Sequence, residues 1–178
     1  MIARTRGFTV VEILVVMTII LVLAGLVLAT SSYVHNKGAR SRAEAEIAAM
    51  SAALENYKSD NGTYPTGTPT TSLNAQSDVV PTDPKYQNAS LFLYEQLSGD
   101  TNGDRSVEGK SYFTFKDNQL YPATGAITYI KDPFGYSYGY STAGQTGTSG
   151  QGYNPTFDLW STAGSSATTG VAGWIKNW

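Results

Sequence analysis

Glu12 is the only Asp, Glu, Lys or Arg between Phe8 and Asn36. A lone carboxylate near the start of a membrane-length apolar run is costly to ionise in hydrocarbon, so it needs a positive partner and marks a functional position. A second set of chemically suggestive residues lies far down the chain. Asp100, Asn102, Asp104, Ser106 and Glu108 put oxygen side chains at alternate positions. This matches the opening of an EF-hand-type loop, whose calcium ligands come from positions 1, 3, 5, 7 and 9. Two positions depart from that pattern: Arg105 stands where the sixth-position glycine belongs, and Ser111 where the bidentate glutamate belongs. A carboxylate from elsewhere, such as Asp117 or Asp132, must then complete the shell. A polar β-turn with Asn102-Gly103 at its tip is the other reading of the same residues.

Nothing else forms a catalytic set. The chain has one histidine and no cysteine. His35, just past the apolar run, reads as an interfacial polar residue rather than a ligand or base. Without cysteine there is no disulfide framework and no thiolate metal site. Phosphate-cradling loops are absent. The formal net charge of −2 offers no basic face for nucleic acid. The expectation is a structural subunit, not an enzyme.

The elements that must position these residues follow from periodicity. Ile13 to Ala29 is apolar apart from Thr18 and Gly25, and Ala43, Ile47, Met50, Leu54 and Tyr57 recur at helical spacing. We expect one helix of roughly 50 residues, about 80 Å long at about 1.5 Å per residue. Its first half is apolar all round and its second half carries one stripe for a globular head. Arg40 and Glu44 stand at i,i+4 spacing for an ion pair. Asn61-Gly62-Thr63-Tyr64-Pro65 ends the helix. The sequence predicts a loop over Thr66–Pro84 and a short helix over Ala89–Leu97. Strands are expected at Tyr112–Phe115, Ala126–Ile130, Tyr136–Tyr140 and Thr156–Trp160. Tyr136, Tyr138 and Tyr140 would share one sheet face. The Gly-rich stretch to Gly152 reads as a mobile loop, and Trp174 and Trp178 as anchors for the tail. The fold class is α+β: a long N-terminal helix packed on a small antiparallel sheet.

Arg4-Thr5-Arg6-Gly7, then Phe8-Thr9-Val10-Val11-Glu12 and the apolar run, resembles the class III signal of type IV pilins and type II secretion pseudopilins. That resemblance implies that a prepilin peptidase cuts between Gly7 and Phe8 and N-methylates Phe8. It makes Glu12 the assembly carboxylate, pairing with the new ammonium of a neighbouring copy. Glycine admits the extended backbone a peptidase cleft requires, and Glu12 lies one helical turn beyond Phe8. Losing Arg4 and Arg6 with the leader leaves 10 Lys and Arg against 14 acids, a net −4.

Tyr57–Pro65, Lys131-Asp132-Pro133-Phe134-Gly135-Tyr136 and Phe157–Ser161 are similar to segments of the major, G-type pseudopilin, while Thr66–Leu120 looks like an expanded insertion. The implied organisation is a leader at 1–7, a transmembrane and filament-core helix at 8–30, its amphipathic continuation at 31–62, and a periplasmic head at 63–178. Implied partners are further copies of the chain, minor pseudopilins, and an inner-membrane assembly platform with its ATPase. The chain departs from the family in having Ala29 where a proline is usual and Leu21 where a glycine is frequent. The family's calcium ligands in the loop after the last strand have no counterpart either, since Ser161–Gly173 holds no Asp or Glu. A type IV pilus subunit for adhesion, motility or DNA uptake is the alternative. Others are a plain single-pass anchor and a soluble exported domain cut after Ala29. The mature N-terminus, Phe8, Met1 or Thr30, separates the processed subunit from the anchor and the soluble domain.

Overall fold

A computed structural model describes residues 7–147, 149–165 and 171–178, without the side chains of 28–32. Six residues of the expected leader therefore lie outside the described residues. The chain divides into two units, Met1–Gly38 and Ala39–Trp178. The helix α1 runs unbroken from Val10 to Asn61. Gly25 and Gly38 do not interrupt it.

In the first unit every described side chain of α1 is exposed, including Ile13, Leu14, Met17, Ile20 and Leu23. Val10–Val27 is the one helical stretch among the described residues that is long and apolar enough to cross a membrane.

In the second unit the expected stripe is the floor of the core. Ala43, Ile47, Met50 and Leu54 are buried, with Ala53 beside them and Tyr57 packed at the edge. Arg42, not Arg40, makes the ion pair on this helix, 3.7 Å from Glu46. Arg40 donates instead to the Gly173 carbonyl at 2.9 Å. Glu46 has a second partner, the Tyr138 hydroxyl at 2.7 Å. A carboxylate at that point on the helix serves both groups, which position 44 would not.

The expected loop 66–84 contains a short helix, α2 (Thr68–Ser72). The helix expected at 89–97 begins earlier, as α3 (Pro84–Ser98). Asp83 caps it through a 2.8 Å bond from the Lys85 amide, and Pro84 occupies the first turn, where a missing N–H costs nothing. At its far end Gly99 adopts φ +78°, and a Cβ there would run into the Gly109 backbone. The Gly99 carbonyl accepts from the Glu108 and Gly109 amides, closing the acidic loop onto the helix end.

The strands are shorter than expected: β1 (Leu120–Tyr121) pairs with β2 (Tyr129–Ile130), and β3 (Gly139–Ser141), β4 (Asp158–Ser161) and β5 (Ile175–Lys176) form an antiparallel three-stranded sheet with β4 in the centre. Segment 112–115 is not a strand. The Tyr112 and Phe113 amides both donate to the Leu97 carbonyl, satisfying the end of α3, while Phe113 and Phe115 meet edge to face. Tyr138 and Tyr140 are fully buried on the core side, but Tyr136 is only half-buried, and of the three only Tyr140 lies within β3. Gly139, between them, faces the Trp160 indole so closely that a Cβ would overlap the ring.

The Gly-rich stretch is pinned. Asn74 donates to the Gly150 carbonyl and accepts from the Gly152 amide, and Gln76 donates to the Gly152 carbonyl. Buried Asp158 then accepts from the Tyr153 and Asn154 amides at 2.8 and 2.9 Å. Behind β4, Trp160 lies parallel to Trp174 and edge-on to Trp178, so the tail is held as expected. Helices and small antiparallel sheets after an apolar N-terminal helix make the fold α+β.

Candidate functional site

The first site is built by four residues at the entrance to α1. Thr9 precedes the helix, and its carbonyl accepts the first intrahelical bond, from the Ile13 amide at 3.3 Å. Its hydroxyl accepts from the Glu12 amide at 3.2 Å. One Glu12 oxygen, Oε2, accepts in return from both the amide and the hydroxyl of Thr9, each at 2.8 Å. This is a capping box: Thr, two residues, then Glu, each satisfying a donor the helix leaves open. The positive end of the helix dipole favours a carboxylate here as well. Among the described residues nothing donates to the other oxygen, Oε1.

Phe8 and Glu12 share one helical face with Val16 and Ile20, and together with Ile13 and Met17 they line a shallow apolar hollow. The only charge on this surface is thus surrounded by hydrocarbon, with one oxygen already engaged and one open. Sequence reasoning named Gly7, Phe8 and Glu12 but not Thr9, although Thr-x-x-Glu is a legible signal.

The second site is the loop after α3. Asp100, Asp104 and Glu108 converge, with carboxylate oxygens within 4.8 Å of one another, and neither Asp117 nor Asp132 joins them. Asp132 is buried elsewhere, accepting from the Ser161 hydroxyl and the Phe134 and Tyr136 amides. Asp117 faces Arg105 at 3.4 Å. Arg105, at the position that favours glycine, nevertheless adopts φ +78°. Its side chain compensates by donating to the Gly125 and Pro122 carbonyls at 2.9 and 2.6 Å. The loop therefore keeps the turn that glycine would supply.

Asp100 is the most committed member. Its Oδ1 accepts from the Asn102, Gly103 and Asp104 amides, and its Oδ2 from the Arg105 amide and the Tyr94 hydroxyl. Burial pushes its carboxyl up, but the Tyr94 hydroxyl and these amides outweigh that and hold it below the usual range. Asp104 accepts from the Ser106 amide and Asn102 side chain, and Glu108 from Thr101. Three carboxylates within such a radius suit a hard divalent cation. The same contacts also complete a self-satisfied polar turn.

An apolar N-terminal helix followed by helices and small antiparallel sheets is consistent with an α+β pilin-like fold. The model of the prokaryotic N-terminal methylation motif matches residues 2–28. The chain is also similar to type II secretion system core protein G. It is 43% identical to that of Klebsiella pneumoniae over 63 residues, which is 35% of this chain and 45% of the relative. For Pectobacterium carotovorum the figures are 44% over 62 residues, 35% of this chain and 40% of the relative. For Escherichia coli they are 44% over 63 residues, 35% of this chain and 43% of the relative. The chain thus spans less than half the length of these relatives. All three are named as core components of a secretion system, none for a catalytic activity. No solved structure matches the chain.

Proposed function

We propose that the chain is a structural subunit of a type II secretion pseudopilus, held in the bacterial inner membrane by its N-terminal helix with the head in the periplasm. A prepilin peptidase removes residues 1–7 and methylates Phe8. An inner-membrane platform driven by its ATPase then assembles copies into a filament, which works with minor pseudopilins in protein export. Packing of the apolar helices at 8–30 supplies most of the cohesion, and Glu12 meets the Phe8 ammonium of an adjacent copy.

The observation that carries this reading is the isolated carboxylate on the face of Phe8, on a helix whose side chains from Val10 to Val27 are exposed. Two buried charges that are each costly alone become tolerable as a pair. In bacteria carrying a prepilin peptidase, the product should run as a species seven residues shorter than the precursor. Gly7→Glu should leave the longer form. Processing of Gly7→Glu at the normal rate contradicts the proposal.

Calcium is proposed as a ligand of the loop after α3, with Asp104 and Glu108 as principal oxygens and Asp100, Asn102 and Ser106 shaping the site. The convergence of the three carboxylates supports this. Because Asp100 already accepts five bonds, it shapes the loop more than it would hold the ion.

A further inference from the structure

Past the apolar window, α1 continues without a break through Tyr33, Val34, His35, Asn36 and Lys37, all of them exposed. We propose that Tyr33 and Lys37 anchor the helix to the phosphates of anionic phospholipid, on the leaflet far from the N-terminus. This rests on the membrane-spanning reading of Val10–Val27.

Helix geometry sets the levels. Hydrocarbon about 30 Å thick takes about 20 residues at about 1.5 Å each, so a span beginning at Val10 leaves the hydrocarbon near Thr30. Tyr33 then stands about 5 Å further along, within the headgroup layer, where amphipathic rings collect. The Lys37 backbone stands about 10 Å beyond the hydrocarbon edge. Side chains on a helix lean toward its N-terminus. A lysine stem therefore reaches back from that height, laying its methylenes toward the bilayer and its ammonium at phosphate level. Tyr33 and Lys37 are one helical turn apart, so ring and ammonium share a face.

Charge selects the occupant. The basic side chains further along are engaged: Arg40 donates to the Gly173 carbonyl and Arg42 faces Glu46. Among the described residues Lys37 has no ion-pair partner, and the first acid after it is Glu44. A free ammonium at the level of lipid phosphates attracts anionic headgroups, and salt screens that attraction over about 8 Å at physiological strength.

The test uses the full chain. It has no cysteine, so Asn36→Cys carries a single environment-sensitive dye. The labelled protein is reconstituted into zwitterionic vesicles and into vesicles containing phosphatidylglycerol. The expected result is a blue shift in emission with phosphatidylglycerol only, reversed by high salt, lost in Lys37→Ala and kept in Lys37→Arg. Identical emission in the two vesicle types overturns the anchor, as does an undiminished shift in Lys37→Ala. A shift that instead tracks protein density in zwitterionic vesicles assigns Lys37 to a second copy and also overturns it. Failure to float with either vesicle removes the membrane reading as well, whereas flotation without a shift removes the anchor alone.

Discussion

Thr9 and Glu12 hold each other at the start of α1, the carboxylate accepting two bonds through one oxygen and its own amide donating to the Thr9 hydroxyl. Glu12 thus has a role within its own helix in addition to the one proposed between copies. The two roles occupy different oxygens, so they are compatible, and they separate chemically.

Gln in place of Glu12 keeps a capping side chain at the third helical position but carries no charge. Glu12→Gln should therefore be processed and retained in the membrane, yet assemble as poorly as Glu12→Ala. Electron microscopy of surface or periplasmic filaments reads the outcome. Normal filaments from Glu12→Gln would make capping, and not charge, the reason for the residue.

The close approach of Gly139 to Trp160 predicts an intolerant position in the head. Gly139→Ala forces a methyl into a fully buried indole and should cost about 1–3 kcal/mol, as overpacking does. Leu54→Ala, which empties part of the buried core, should cost about 2–5 kcal/mol. Urea unfolding of the detergent-solubilised chain measures both. An unchanged midpoint for Gly139→Ala would mean that β3 and β4 are not in contact as described.

Asp132 gives a pH signature. Burial pushes its carboxyl above the ordinary range, against the opposing pull of the Ser161 hydroxyl and the local amides. The folded state therefore holds this proton more tightly than the unfolded chain. Stability from this group falls as pH rises from the unfolded value through the raised folded one. Asp132→Asn removes the titration, so the wild type should gain on the variant as pH is lowered toward 4. Parallel melting curves for the two proteins across that window would contradict the burial of the carboxyl.

Calcium at the acidic loop should raise the melting temperature, by linkage worth about 2.7 kcal/mol at a hundredfold excess over Kd. Asp104→Ala should abolish the rise. No shift at millimolar calcium in the wild type retires the site.

The long helix, its buried stripe, the glycine-ended turn at Gly62 and the Trp-anchored tail were all legible, because each depends on local periodicity or on a residue with a single physical use. Pro84 was legible in principle: Asp83-Pro84 is a cap-and-first-turn signal, and taking Ala89 as the start overlooked it. The Tyr112–Phe115 segment was not. Alternating aromatics read as a strand, but its amides serve the open carbonyl of Leu97, a tertiary demand with no local trace. The pinned glycine loop failed for the same reason, since Asn74 and Gln76 reach it from more than seventy residues away. At the acidic loop the spacing found the carboxylates that converge, but not the hydrogen bonds that already engage Asp100.

Mass spectrometry of the N-terminal peptide from chain purified out of cells with a prepilin peptidase bears most directly on the electrostatic account. The account expects a peptide beginning at Phe8 and heavier by one methyl group, the amine that gives Glu12 its counter-charge. A chain beginning at Met1 would leave that carboxylate without the partner, one beginning at Thr30 would lack the carboxylate itself, and either result would contradict the account.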